Sequence, residues 1–138
     1  MFGYSVTRDM TASPVRVWTV LTDARRLEDG FGIARIDGNI RPDATIKIYS
    51  EVSPGRAFPV RVTTLTPPLR MIWTGGMPLG LFRGVRTFAL LVLPGGGTRF
   101  TMDERFSGPL AALIRRSMPD LQPSFETFAD ALKRESET

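Results

Sequence analysis

Apolar and polar positions alternate with a period of two through Phe2, Tyr4 and Val6, so residues 2–12 read as a strand. Ser13-Pro14 ends it and opens a helix: a serine oxygen satisfies an orphan backbone donor, and a proline in the first turn has no donor to lose. The helix is predicted over Pro14 to about Thr22, with Val17, Trp18 and Leu21 on one face. The polar segment ARRLEDGFG, with Asp29-Gly30 and Gly32, predicts at most a short second helix and a turn. Six strand-like runs follow, at Ile33–Ile40, Ala44–Val52, Arg56–Thr66, Leu69–Gly75, Phe82–Leu93 and Gly97–Ser107. Most are separated by turn residues such as Pro42-Asp43, Pro54-Gly55, Pro67-Pro68 and Pro94-Gly95-Gly96, and the series reads as an antiparallel meander.

Alternation within the runs assigns their faces. Ile46 and Ile48 oppose Lys47 and Tyr49; Phe58, Val60 and Val62 oppose Arg61 and Thr63; Phe100, Met102 and Phe106 oppose Arg99, Thr101, Asp103 and Arg105. One face is apolar and the other wet. The tail supplies a cover, because Ile114, Met118, Leu121, Phe125, Phe128 and Leu132 recur at spacings of 4, 3, 4, 3 and 4, a helical stripe. Pro119 and Pro123 each remove a backbone donor, so the stripe must break. With Ser117 as a cap, a restart is expected at Pro119, giving a short helix, a bend and a longer helix to about Lys133.

Composition narrows the chemistry. The 138 residues contain no His and no Cys, which removes the Ser-His-Asp triad, the cysteine nucleophile and the usual nitrogen- or sulfur-ligated zinc, haem and iron–sulfur sites. Metal and cofactor are both expected to be none. The net charge of +4 comes from 18 basic residues, all arginine except Lys47 and Lys133, and they are spread along the chain. Nucleic-acid binding would require clustering on one face, so none is expected. The longest uncharged stretches, Met71–Phe82 and Thr87–Thr98, are 12 residues each, whereas a membrane span needs about 20. With no basic-then-apolar start, the expected location is the cytoplasm.

The order of strand, helix pair, six-strand meander and long C-terminal helix resembles the helix-grip fold of the SRPBCC superfamily, the START-like and birch-pollen-allergen-like proteins. TASPVRVWTVLTD resembles the family's opening, LRMIWTGG its fifth strand, GGGTRFTMDERFSGPLAALIRR its last strand and entry to the final helix, and FETFADALKRESE the helix end. The resemblance covers essentially the whole chain and implies a single α+β domain over 1–138, in which about seven curved antiparallel strands (β-α-α-β6-α) wrap around the C-terminal helix. Its closest branch is the polyketide cyclase/dehydrase-like group. It also implies a cavity between sheet and helix for an apolar ligand such as a lipid, polyketide or quinone. RRLEDGFGI stands where relatives carry an aromatic-rich segment, and Arg86 where a His is common, which weakens an acid–base role there.

Placing Leu93 opposite Gly97 across the Pro94-Gly95-Gly96 turn sets Arg86 against Glu104, Phe88 against Met102 and Leu90 against Phe100, all inward. A glutamate on an apolar face is the least expected residue of its strand. Arg86 and Glu104 are therefore candidate ligand anchors, and Glu104 is the one candidate proton acceptor; a plain ion pair at the rim is the structural alternative. Trp18, Phe58, Val60, Val62, Met71, Trp73, Phe88, Met102, Phe106, Phe125 and Phe128 are expected inside, with some touching ligand. The apolar, glycine-rich stretch Gly75–Phe82 is read as a lid in which Met77, Leu79, Leu81 and Phe82 contact ligand or a second subunit, or else as a hairpin folded on its own core.

Three functions follow as expectations. The first is binding of a small apolar ligand oriented by Arg86 and Glu104. The second is a cyclase- or dehydratase-type enzyme using Glu104 in the same cavity. The third is a protein-interaction module like the heat-shock-protein ATPase activators of this fold. A homodimer is compatible with each.

Overall fold

A computed structural model describes residues 2–138. Strand β1 (Phe2–Met10) leads into helix α1 (Pro14–Leu21), whose first turn is capped by Ser13, its hydroxyl accepting from Arg16 N at 3.3 Å. A single 3-10 turn at Arg26–Glu28 precedes the meander of β2 (Ile33–Asp37), β3 (Thr45–Ser50), β4 (Ala57–Thr66), β5 (Arg70–Gly76), β6 (Arg83–Val92) and β7 (Thr98–Ser107). The chain closes with α2 (Ala111–Arg115) and α3 (Gln122–Glu137).

The seven antiparallel strands lie in the order β1-β7-β6-β5-β4-β3-β2, so β1 adds to the free edge of β7. The sheet curls as a half-barrel against α3, which buries Phe125, Phe128, Ala129, Ala131 and Leu132. Into the same core the strands send Val6, Ile36, Ile46, Val62, Met71, Phe88, Phe100 and Met102, and α1 sends Val17, Val20 and Leu21. Each such side chain is worth about 1.5–3 kcal/mol of burial, and alternation on the strands gathers them on one face. This is the α+β helix-grip architecture.

The break before α3 differs from the expectation. Ser117 does not cap a restart at Pro119: its hydroxyl donates back to Ile114 O at 3.0 Å and closes the preceding helix. The restart comes at Gln122, whose N–H donates to Asp120 Oδ1 at 3.0 Å, with Pro123 in the first turn. An aspartate two residues ahead satisfies an orphan donor that Ser117 cannot reach. α3 then runs past Lys133 to Glu137, where the Glu137 carboxylate accepts from Thr11 N at 2.8 Å and fastens the helix end to the chain leaving β1.

The ladder sorts the turns to two ends of the sheet. The β3–β4 and β5–β6 turns, the start of β1, the end of β7, α2 and the start of α3 share one end, called the mouth below. The β4–β5 and β6–β7 turns share the other.

Candidate functional site

The β6–β7 turn determines the site. Leu93 N–H donates to Gly97 O at 2.8 Å, and from that closure the register runs Leu90↔Phe100, Phe88↔Met102, Arg86↔Glu104 and Gly84↔Phe106. Arg86 Nε donates to Glu104 Oε1 at 2.5 Å, with the two side chains 24% and 13% exposed. The guanidinium also lies over the Phe125 ring of α3, 4.8 Å from its centre. Arg86 is thus held in plane by a carboxylate and from above by a π face. A Cβ on Gly84 would come within 3.2 Å of Glu104 Oε2 and 3.1 Å of the Phe106 ring, so the glycine leaves room for the second carboxylate oxygen.

Neighbouring strands extend this pair into a row. Tyr4 of β1 lies opposite Glu104, and Trp73 of β5 lies opposite Arg86. The Tyr4 ring is 5.8 Å from Phe125 and meets Phe106 edge-on at 6.4 Å. Trp73 is 2% exposed, packs edge-on to Phe88 at 4.7 Å, and its buried indole N–H has no hydrogen-bond partner among the described residues. Sequence alternation places Tyr4 in the first strand but not beside the Arg86–Glu104 pair, because that strand pairs with a segment distant in the chain, where no turn fixes the register.

The other expected residues separate by depth. Val62, Met71, Phe88 and Met102 are fully buried and Phe128 is 3% exposed; Phe128 packs against Phe31, Phe88 and Phe100 with ring centres 5.2, 6.0 and 6.4 Å apart. At that depth these residues belong to the buried core between sheet and helix. Phe58 is not interior: it is 42% exposed near the start of β4, with the Arg56 guanidinium 5.3 Å from its ring centre. Alternation put it on the correct face, but its place at the strand end puts it on the rim. Val60 and Trp18 are half-buried against the core. Phe82 is half-buried and stacked on Phe106 at 5.4 Å, while Phe2 stacks on the opposite side of Phe106 at 5.0 Å.

Beyond the geometry, residues 1–137 match the sequence profile described as polyketide cyclase / dehydrase and lipid transport. The chain belongs to that family. Solved structures repeat the fold of this family member at low identity. Protein MLL2253 from Mesorhizobium loti superposes with a TM-score of 0.75 at 19% identity, covering 97% of this chain and 96% of that one. The Aha1 dimer from Colwellia psychrerythraea gives 0.74 at 19% identity over 99% and 97% of the two chains. DynU16, a protein of the dynemicin biosynthetic locus, gives 0.68 at 20% identity, with 99% of this chain matched to 47% of that one. No curated protein matches in sequence.

In this family member the Gly75–Phe82 stretch is divided. Phe82 packs inward, whereas Met77 is 42%, Leu79 96% and Leu81 37% exposed. Two open recesses lie away from the Arg86–Glu104 pair. One of about 360 Å³ lies at the far end, lined by Met10, Leu93 and Pro94 among others; one of about 210 Å³ lies at the mouth between Gly32, Val52 and Thr127.

Proposed function

We propose that the protein binds a small, mainly apolar molecule at the mouth of the sheet–helix gap, with Arg86 and Glu104 as its polar anchor. The observation that carries this reading is the partly buried ion pair on an otherwise apolar face, flanked by Phe125, Tyr4 and Trp73. Desolvating two charges costs about as much as their attraction returns, so a plain structural role would be served as well by two apolar side chains. An anionic or carbonyl oxygen on a ligand adds a partner for the guanidinium without breaking its bond to Glu104, since Arg offers five donors. Membership of a family named for polyketide cyclases, dehydrases and lipid transport supports an apolar body for that ligand. Glu104 is read as orienting Arg86, whose Nε it accepts from through Oε1. Because Phe88 and Phe128 are buried, the ligand is read as lying above them, near the mouth.

Two probes with the same aromatic body test the reading: 1-anilinonaphthalene-8-sulfonate, which is anionic, and N-phenyl-1-naphthylamine, which is neutral. The wild-type chain is expected to bind both, the sulfonate about tenfold more tightly, consistent with one charge-assisted hydrogen bond. The volume-keeping double variant Arg86→Met/Glu104→Met should retain the neutral probe and lose the preference. Absence of saturable binding of either probe, or a preference unchanged in the double variant, overturns the reading.

A further inference from the structure

Leu79 carries two unfavourable features at one position. Its backbone sits at φ +62° and ψ +20°, a left-handed conformation that a branched side chain rarely adopts, and its side chain is 96% exposed. Neither is relieved within the chain, and strain of this kind persists where the displayed side chain has a use. Met77 and Leu81, on either side of Leu79 in the chain, are 42% and 37% exposed as well. Leu81 O accepts from Leu110 N at 2.9 Å, and a Cβ on Gly108 would lie 2.6 Å from Leu81 O and 2.7 Å from Gly80 O, so the β5–β6 tip sits directly on the entry to α2. α2, only five residues long, follows directly on Leu110 and carries Leu113, which is 63% exposed.

The charge of this surface has one sign. The sequence has no carboxylate from Met71 to Met102 or from Arg105 to Pro119. Arg83, Arg115 and Arg116 are exposed there, and among the described residues none of them has a carboxylate within ion-pair distance. Arg115 instead lies over the Phe2 ring at 5.0 Å, which holds α2 against the start of β1. Exposed leucine and methionine side chains, with arginines free of carboxylate partners on the same two segments, match a layer that is apolar below and anionic at its surface. No described helix is long and apolar enough to cross a membrane, so the contact is peripheral.

We propose that the β5–β6 tip and α2 form a docking surface for an anionic lipid bilayer, with Leu79 inserted among the acyl chains and Arg83, Arg115 and Arg116 at the headgroups. The surface lies at the same end of the sheet as the Arg86–Glu104 anchor but shares no residue with it, and its use does not depend on what that anchor holds.

Sedimentation of the full chain with phosphatidylcholine vesicles, with and without phosphatidylglycerol, tests this. Each arginine should add about fivefold to partitioning onto the anionic vesicles at low salt, an advantage that fades as salt rises. Leu79→Gly removes the inserted side chain and relieves the backbone, so it should melt no lower than wild type yet bind the anionic vesicles about tenfold more weakly. Arg83→Gln/Arg116→Gln should lose the preference for phosphatidylglycerol. Arg86→Met/Glu104→Met should sediment with vesicles as wild type does, whether or not it binds the naphthalene probes. Equal binding to both vesicle types, or Leu79→Gly binding like wild type, overturns the proposal. So does a wild-type dimer in solution that Leu79→Gly dissociates, since a second copy would then cover the patch.

Discussion

Trp73 shows how one buried atom can be more informative than its ring. Its indole packs against Phe88 and is almost wholly covered, but the N–H meets no acceptor among the described residues. A buried donor without a partner costs about 1–3 kcal/mol, and most proteins avoid it. Trp73→Phe keeps an aromatic body and deletes the donor, so chemical denaturation should find stability within about 1 kcal/mol of wild type. A loss well above that would mean that the N–H has a partner or that the larger ring is needed for packing. Position in a strand decided how well single residues could be read from sequence. Alternation placed Phe58, Val62, Phe88 and Met102 on one face, but a period of two gives face and not depth. Phe58 therefore belongs to the rim and Phe88 to the packed interior.

Elements were legible where both partners flank one turn. Counting outward from Pro94-Gly95-Gly96 predicted Arg86 opposite Glu104, and the ladder has that register, because a hairpin's pairing is set by its own turn. The break before α3 was less legible: two prolines and two small polar residues offered competing starts, and the choice rests on which side chain reaches the orphan donor. The junction between the β5–β6 tip and α2 was not legible at all, since it joins segments with no periodic relation. Gly108 is its tightest point, with φ +107° and Leu81 O closer to a would-be Cβ than real contacts allow. Gly108→Ala should therefore cost at least about 1 kcal/mol in thermal or urea unfolding, more than an alanine in an open turn. It should also raise amide exchange at Leu110, whose N–H bonds to Leu81 O. Unchanged protection at Leu110 would show that the junction does not depend on the glycine.

Across the whole molecule, the first strand is held from two sides by exposed ion pairs and hydrogen bonds. Arg99 of β7 donates to both oxygens of Asp9, at 2.8 and 3.1 Å, and this bonding holds the Asp9 carboxyl below the usual carboxylate range. The Thr11 N–H, with lesser help from the Thr11 hydroxyl and Lys133, does the same for Glu137. A carboxylate lowered on folding adds stability that is fully present above the ordinary carboxylate pKa and is lost as pH falls through the folded value. Asp9→Asn/Glu137→Gln should accordingly be less stable than wild type near neutrality. The gap should close in acid, below about pH 4. Unfolding midpoints measured across that range would count against this account if the gap stayed constant.

The pairing of β1 with β7 also has a kinetic consequence. Phe2 meets Phe106 only after a loop of roughly a hundred residues closes, while the β3-to-β7 hairpins need short loops alone. Short closures come first, so the meander should assemble as a nucleus and β1, although it precedes the meander in the chain, should dock late. Until it does, β7 presents an open edge carrying Glu104 without Tyr4 beside it, and the mouth is incomplete. Formation of the Arg86–Glu104 hairpin and completion of the binding mouth are then separate events in time.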